Sequence, residues 1–139
     1  MFEKVILAVD GSEHARKAAT LALDIARKSN ADVVVVHVRE HVVDLGGTWE
    51  QESSSHAEAI LDAACRELEE AGVPTRRVVR RGLAGSGRIA QEIVETADAE
   101  DAGLIVMGSR GVSDLRGLLL GSVAHKVLQL SSQPVLVAR

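Results

Sequence analysis

The stretch Leu104-Ile105-Val106-Met107-Gly108-Ser109-Arg110-Gly111 decides the fold. Four apolar residues run without alternation and then break into a glycine-rich turn. A strand that alternates apolar and polar residues is buried on one face. A continuous run is what a strand needs when both faces are covered, as in a parallel sheet. Three more runs have the same character: Val5 to Val9, Val33 to Val36 with Val38, and Val135 to Ala138. Thr75 to Arg80 is a fifth, more polar run and reads as a sheet edge.

Helical patterns fill the spaces between these runs. Ala15, Ala18, Ala19, Ala22, Ile25 and Ala26 recur at helical spacing, as do Ala57, Ile60, Leu61, Ala64, Leu68 and Ala71 before the stop at Gly72 and Pro74. Ser86, Ile89, Ala90, Ile93 and Ala97 form a third pattern. Val123, Ala124, Val127 and Leu130 form a fourth, ahead of Pro134. Strict alternation of strand and helix predicts an α/β fold with an open parallel sheet and helices on both faces. At 139 residues the chain suits a single domain, 1–139. Residues 40–55, with Gly46-Gly47 and three serines, show no clean period and read as a flexible loop over the strand ends, a candidate lid.

Composition excludes several classes of function. Phe2 and Trp49 are the only aromatic residues, too few for stacking bases or a flavin ring. The net charge of −4 argues against nucleic acid as a partner. The basic cluster Arg76, Arg77, Arg80, Arg81 and Arg88 reads as a solvated edge strand that resists aggregation. Cys65 is alone and reads as a small buried thiol. His14, His37, His41, His56 and His125 do not fall at converging spacings, so no metal site is expected. No apolar run is long enough for a membrane span or has the form of a signal peptide, and the expectation is a cytoplasmic protein without membrane partners.

The glycine-rich segments carry the chemistry. Gly108-Ser109-Arg110-Gly111 leaves a strand, and Gly121-Ser122 opens a helix. Glycines permit close backbone approach, and a helix N-terminus offers unpaired N–H donors, so the two turns suit a phosphate. Ordinary turns and a helix cap would explain the same residues. A Walker A loop is absent, because Gly121 is followed by Ser122 rather than lysine. Gly85-Ser86-Gly87-Arg88-Ile89-Ala90 fits G-x-G-x-x-A. The place about 20 residues on where a dinucleotide fold needs an acidic residue holds Met107 and Gly108, so that match is accidental.

The spacing Gly108-x2-Gly111-x9-Gly121-Ser122 resembles the ATP-binding signature of the universal stress protein family. The resemblance runs from Lys4-Val-Ile-Leu-Ala-Val-Asp-Gly-Ser12 through His37-Val38 to Leu118-Leu-Leu-Gly-Ser-Val123 and Pro134-Val-Leu-Val-Ala-Arg139. It implies a five-stranded sheet of order 3-2-1-4-5. Ala8 and Asp10 match positions that line adenine and ribose, and Val38 one whose backbone meets adenine. Met107 ends the strand beside them. Gly108, Ser109, Arg110 and Gly111 match the first phosphate turn, and Gly121, Ser122 and Val123 the second. Asp10 has an alternative role as the N-cap of the helix beginning near Ser12. Gly82-Leu83-Ala84 departs from the family's Gly-x-Pro pattern.

The resemblance further implies ATP, with Mg²⁺ offsetting its charge, held by a stress-response binding module that hydrolyses it slowly at most. Dimerisation through residues 135–138 follows from an apolar last strand at an open edge. The rival reading is an enzyme of the ATP pyrophosphatase type, which carries a Ser-Gly-Gly-x-Asp-Ser loop after its first strand. Here that place holds Asp10-Gly11-Ser12. A flavoprotein of similar topology lacks its aromatic contacts.

Overall fold

A computed structural model describes residues 2–50, 53–111 and 120–139. In chain order the elements are β1 (Lys4–Ala8), α1 (Glu13–Ser29), β2 (Asp32–Asp44), β3 (Gly47–Glu50), α2 (Ser54–Glu70), β4 (Thr75–Leu83), α3 (Ser86–Ala99), β5 (Leu104–Gly108), α4 (Ser122–Leu130) and β6 (Val135–Ala138). Five strands are parallel in the order β4-β2-β1-β5-β6. That is the expected 3-2-1-4-5 once β3 is set aside.

The apolar runs are buried on both faces, as continuous patterning requires. Val5, Leu7, Val33, Val35, Leu104 and Val106 pack against α1 and α2. Ile6, Ala8, Val34, Val36, Val38, Ile105 and Met107 pack against α3 and α4 on the other face. Right-handed crossovers dictate this division. The chain winds outward from β1 to β2 to β4 and so lays α1 and α2 on one face. It then returns past β1 to form β5 and β6, which places α3 and α4 on the opposite face.

Local signals fix the helix ends. Ser12 caps α1, its hydroxyl accepting the Ala15 N–H at 3.2 Å, and Asn30 ends the helix in a left-handed conformation. Ala15, Ala18, Ala19, Ala22 and Ala26 form its buried stripe. Ser53 caps α2 by accepting the His56 N–H at 3.1 Å.

Two expectations are corrected. Within the span 40–55 read as a loop, the described residues 40–50 form a hairpin and Ser54 opens α2. β2 continues to Asp44 and β3 folds back on it antiparallel, with Asp44 opposite Gly47 across a two-residue turn at Leu45-Gly46. The polar strand also runs beyond Arg80 to Leu83, in register with β2 to His41.

The arginines of β4 are paired rather than simply solvated. Arg77 bonds Asp62 and Glu69 of α2. Arg80 bonds Glu92 and Glu95 of α3 at 2.7 and 3.3 Å, and Arg76 meets Glu100 beyond α3. Alternate side chains thus tie the edge strand to a helix on each face. The hydrogen bonds to Asp62, then Glu69, raise the Arg77 pKa and keep its guanidinium charged.

Candidate functional site

β1 sits between β2 and β5, and the chain leaves β1 and β5 toward opposite faces of the sheet. Neighbouring strands whose connections part in this way leave a crevice beyond their carboxyl ends, the usual ligand position in open α/β sheets.

The floor of this region is apolar. Ala8, Val38 and Met107 are 7%, 8% and 5% exposed and belong to the same core cluster. After β1 the chain turns sharply. The Ser12 N–H donates to Asp10 Oδ1 at 3.0 Å, while Gly11 takes a φ of +85°, a conformation that suits glycine. Ser12, not Asp10, is therefore the cap of α1, and Asp10 organises the turn before it. The buried His37 imidazole supports β1 from the next strand. Its Nδ1 lies 2.8 Å from the Val9 carbonyl, which can only accept, so that nitrogen carries the proton.

The two glycine turns meet one another. Gly121 donates its N–H to the Ser109 carbonyl, and the Ser109 N–H donates to Ala138 of β6 at 2.6 Å. Ser109 is 2% exposed. Both N–H groups are thus spent inside the protein, and the Ser109 side chain is buried between the two turns. The N-terminal donors of α4 are placed differently. Gly121 is the N-cap and supplies no side-chain bond, and the first backbone bond of the helix runs from His125 to Gly121. Ser122 and Val123, in the first turn, therefore have no intrahelical acceptor.

The glycines are small for internal reasons. A Cβ on Gly108 would lie 2.6 Å from His14 Cβ, so that glycine lets α1 press onto the end of β5. A Cβ on Gly111 would run into the Asp10 carboxylate, and one on Gly121 would stand 3.2 Å from Arg110 Cα and the Ser109 oxygen. The spacing legible in the sequence thus reports loops packed against each other. Arg110 reaches back to α1, its Nη2 3.1 Å from His14 Nε2.

The structure brings Asp10, Ser109, Arg110, Gly111 and Gly121 together by these contacts. Ser122 and Val123 follow directly, with Ala8, Val38 and Met107 beneath. Residues 112–119, which include Leu118 and Leu119 of the family signature, lie outside the described residues. His14 joins the region without having been singled out, and His37, quoted above only as part of the resemblance, enters it through its bond to Val9. Their neighbours are 96 and 28 positions away, so no local pattern could announce them. Among the described residues no group of three or more His, Cys, Asp or Glu could hold a metal ion, and no helix is long and apolar enough to cross a membrane.

The doubly wound sheet, with glycine turns and an uncapped helix end gathered at its switch point, places the chain in the class of open α/β proteins. Within it, the chain matches the Universal stress protein family over residues 1–139 and belongs to that family. It is 35% identical over 153 residues to the universal stress protein YxiE of Bacillus subtilis, each chain covered in full. A universal stress protein from Archaeoglobus fulgidus in complex with dAMP superposes with a TM-score of 0.73 at 26% identity, covering 100% of this chain and 98% of that one. A universal stress protein in complex with cAMP superposes with a TM-score of 0.69 at 26% identity, covering 99% and 97%.

Proposed function

We propose that this protein binds ATP at the switch point as a stress-response binding module, without a dedicated reaction. The observation that carries the reading is the convergence of the Asp10 turn, the Ser109–Gly111 turn and the uncapped start of α4. The adenine nucleotides in the two related structures support the ligand class.

Ala8, Val38 and Met107 offer an apolar seat for adenine. Asp10 accepts from a ribose hydroxyl. The donors for phosphate are the N–H groups of Gly111, Ser122 and Val123 with the Ser122 hydroxyl, favoured by the helix N-terminus, and Arg110 is the counter-charge. Gly108, Ser109 and Gly121 shape the site by holding the turns together. Mg²⁺ fits as an ion carried largely by the phosphates, with Asp10 the carboxylate within the site, since Mg²⁺ commonly binds through one or two carboxylates plus phosphate oxygens. Hydrolysis is slow on this reading, because Asp10 Oδ1 already accepts the Ser12 N–H and is poorly placed as a base.

We further propose a homodimer through residues 135–138. Their strand pairs only with β5 among the described residues, and it carries half-buried Val135, Leu136 and Val137.

Ser122→Pro tests the nucleotide site. Position 122 is the first residue of α4, where proline suits a helix, so the variant removes one N–H and one hydroxyl while leaving the helix intact. Gly121 would be a poorer choice, since any side chain there strikes the first turn. Calorimetry should show ATP affinity falling by about 2 kcal/mol, roughly thirtyfold. Equal affinity in a folded variant, or no nucleotide released from the purified protein and none bound, would refute the site.

A further inference from the structure

Arg110 and His14 face each other with Nη2 and Nε2 3.1 Å apart. A guanidinium has only donors, so Nε2 of His14 must accept, and the imidazole in this contact is neutral with its proton on Nδ1. His14 is itself firmly placed. It is the second residue of α1, and its Cβ and backbone carbonyl carbon press against Gly108 at the end of β5. Arg110 stands in the turn directly after that strand. The contact therefore joins the start of α1 to the first glycine turn from one side, while Asp10 meets Gly111 from another.

We propose that His14 is a positioning residue for Arg110: it fixes the guanidinium beside the switch-point crevice and so raises the site's preference for ligands that carry phosphate. The inference rests on the nucleotide-binding reading above. An arginine side chain carries about 2 kcal/mol of rotamer entropy, part of which is lost when its head is held beside a phosphate. The His14 contact meets part of that cost before the ligand arrives, as preorganisation does in general. Adenosine, which has no phosphate, gains nothing from it.

The contact is testable in the ligand-free protein. Long-range ¹⁵N–¹H spectra should show His14 as the Nδ1–H tautomer, and Arg110→Leu should shift its Nε2 resonance. An Nε2–H tautomer, or a resonance indifferent to Arg110→Leu, would overturn the inference. Binding supplies the functional arm. His14→Leu should lower the ratio of ATP to adenosine affinity by about tenfold, the scale of one hydrogen bond to a charged group. His14→Gln, whose amide oxygen can accept from the guanidinium, should restore most of that ratio. A ratio unchanged in folded His14→Leu refutes the positioning role alone, as does a Gln variant no better than Leu. Failure of the unaltered protein to bind ATP refutes the nucleotide reading and this inference with it, and calorimetry on the unaltered protein separates the two cases.

Discussion

Gly108→Ala adds a single methyl group, and the structure gives its surroundings in detail. The new carbon would lie 2.6 Å from His14 Cβ, 2.8 Å from the His14 carbonyl carbon and 3.0 Å from the Ala15 nitrogen. Comfortable carbon–carbon contact needs about 3.5–4.0 Å, so the first turn of α1 must retreat by roughly 1 Å. Two of the three neighbours are helix backbone, which no rotamer change can move. Gly108 is not among the glycines with a left-handed φ, so the penalty is steric and falls on packing. Overpacking of this kind costs typically about 1–3 kcal/mol. At about 2 kcal/mol, the expected fall in thermal midpoint for a chain of this size is roughly 7 °C by calorimetry. Gly87→Ala is the matched comparison. It lies in the first turn of α3 with open space around it, and alanine's better helix propensity should leave stability equal or raise it by up to about 1 kcal/mol. A Gly108→Ala protein that melts within about 1 °C of the parent would refute the reasoning that this glycine exists to admit α1.

Two further outcomes follow from other parts of the molecule. Burial raises the Cys65 pKa from 9.0 to about 11, so the native thiol should resist alkylation at pH 8 and react once urea unfolds the chain; rapid native labelling would contradict its burial. Because the folded protein keeps this proton while the unfolded chain releases it, the contribution of Cys65 to stability is complete below pH 9 and is lost as pH rises toward about 11. For the dimer, Ile105 and Ser109 donate to the carbonyls of Pro134 and Ala138, so Pro134, Leu136 and Ala138 face β5 and the backbone of Val137 faces outward. Val137→Pro should then dissociate a strand-paired dimer in light scattering while the β5 ladder survives; a persisting dimer, or a monomeric parent at micromolar concentration, would exclude that interface.

Much of this was legible in the sequence because burial on two faces leaves a plain record. The runs at Val5, Val33, Leu104 and Val135 are the central strands and β6, and the four helical patterns fall on α1 to α4. The far end of β2 was hidden. His41 and Val42 are only half-buried, so no apolar period marks them, and the Leu45-Gly46 turn resembles any glycine-containing loop. The arginine pairs were hidden for a different reason: Arg77 finds Asp62 across 15 positions, a partnership set by tertiary packing. At the candidate site the glycine spacing was visible but its cause was not. Gly108 faces a helix that begins almost a hundred residues earlier, and only the assembled sheet brings the two together.

The winding of the sheet has a consequence for the order of assembly during synthesis. β1, α1, β2, β3, α2 and β4 follow one another along the chain, and their strands can pair as they emerge from the ribosome. β1 nevertheless waits for its second neighbour, since Val5 pairs with Leu104. Closing that long loop is the slow, entropically costly step expected of non-local strand pairing. Until then one edge of the central strand is bare, and the Asp10 turn stands alone. The crevice therefore forms only once β5 has been made: a chain lacking β5 would display a half-sheet vulnerable to edge pairing, with no switch point between β1 and β5.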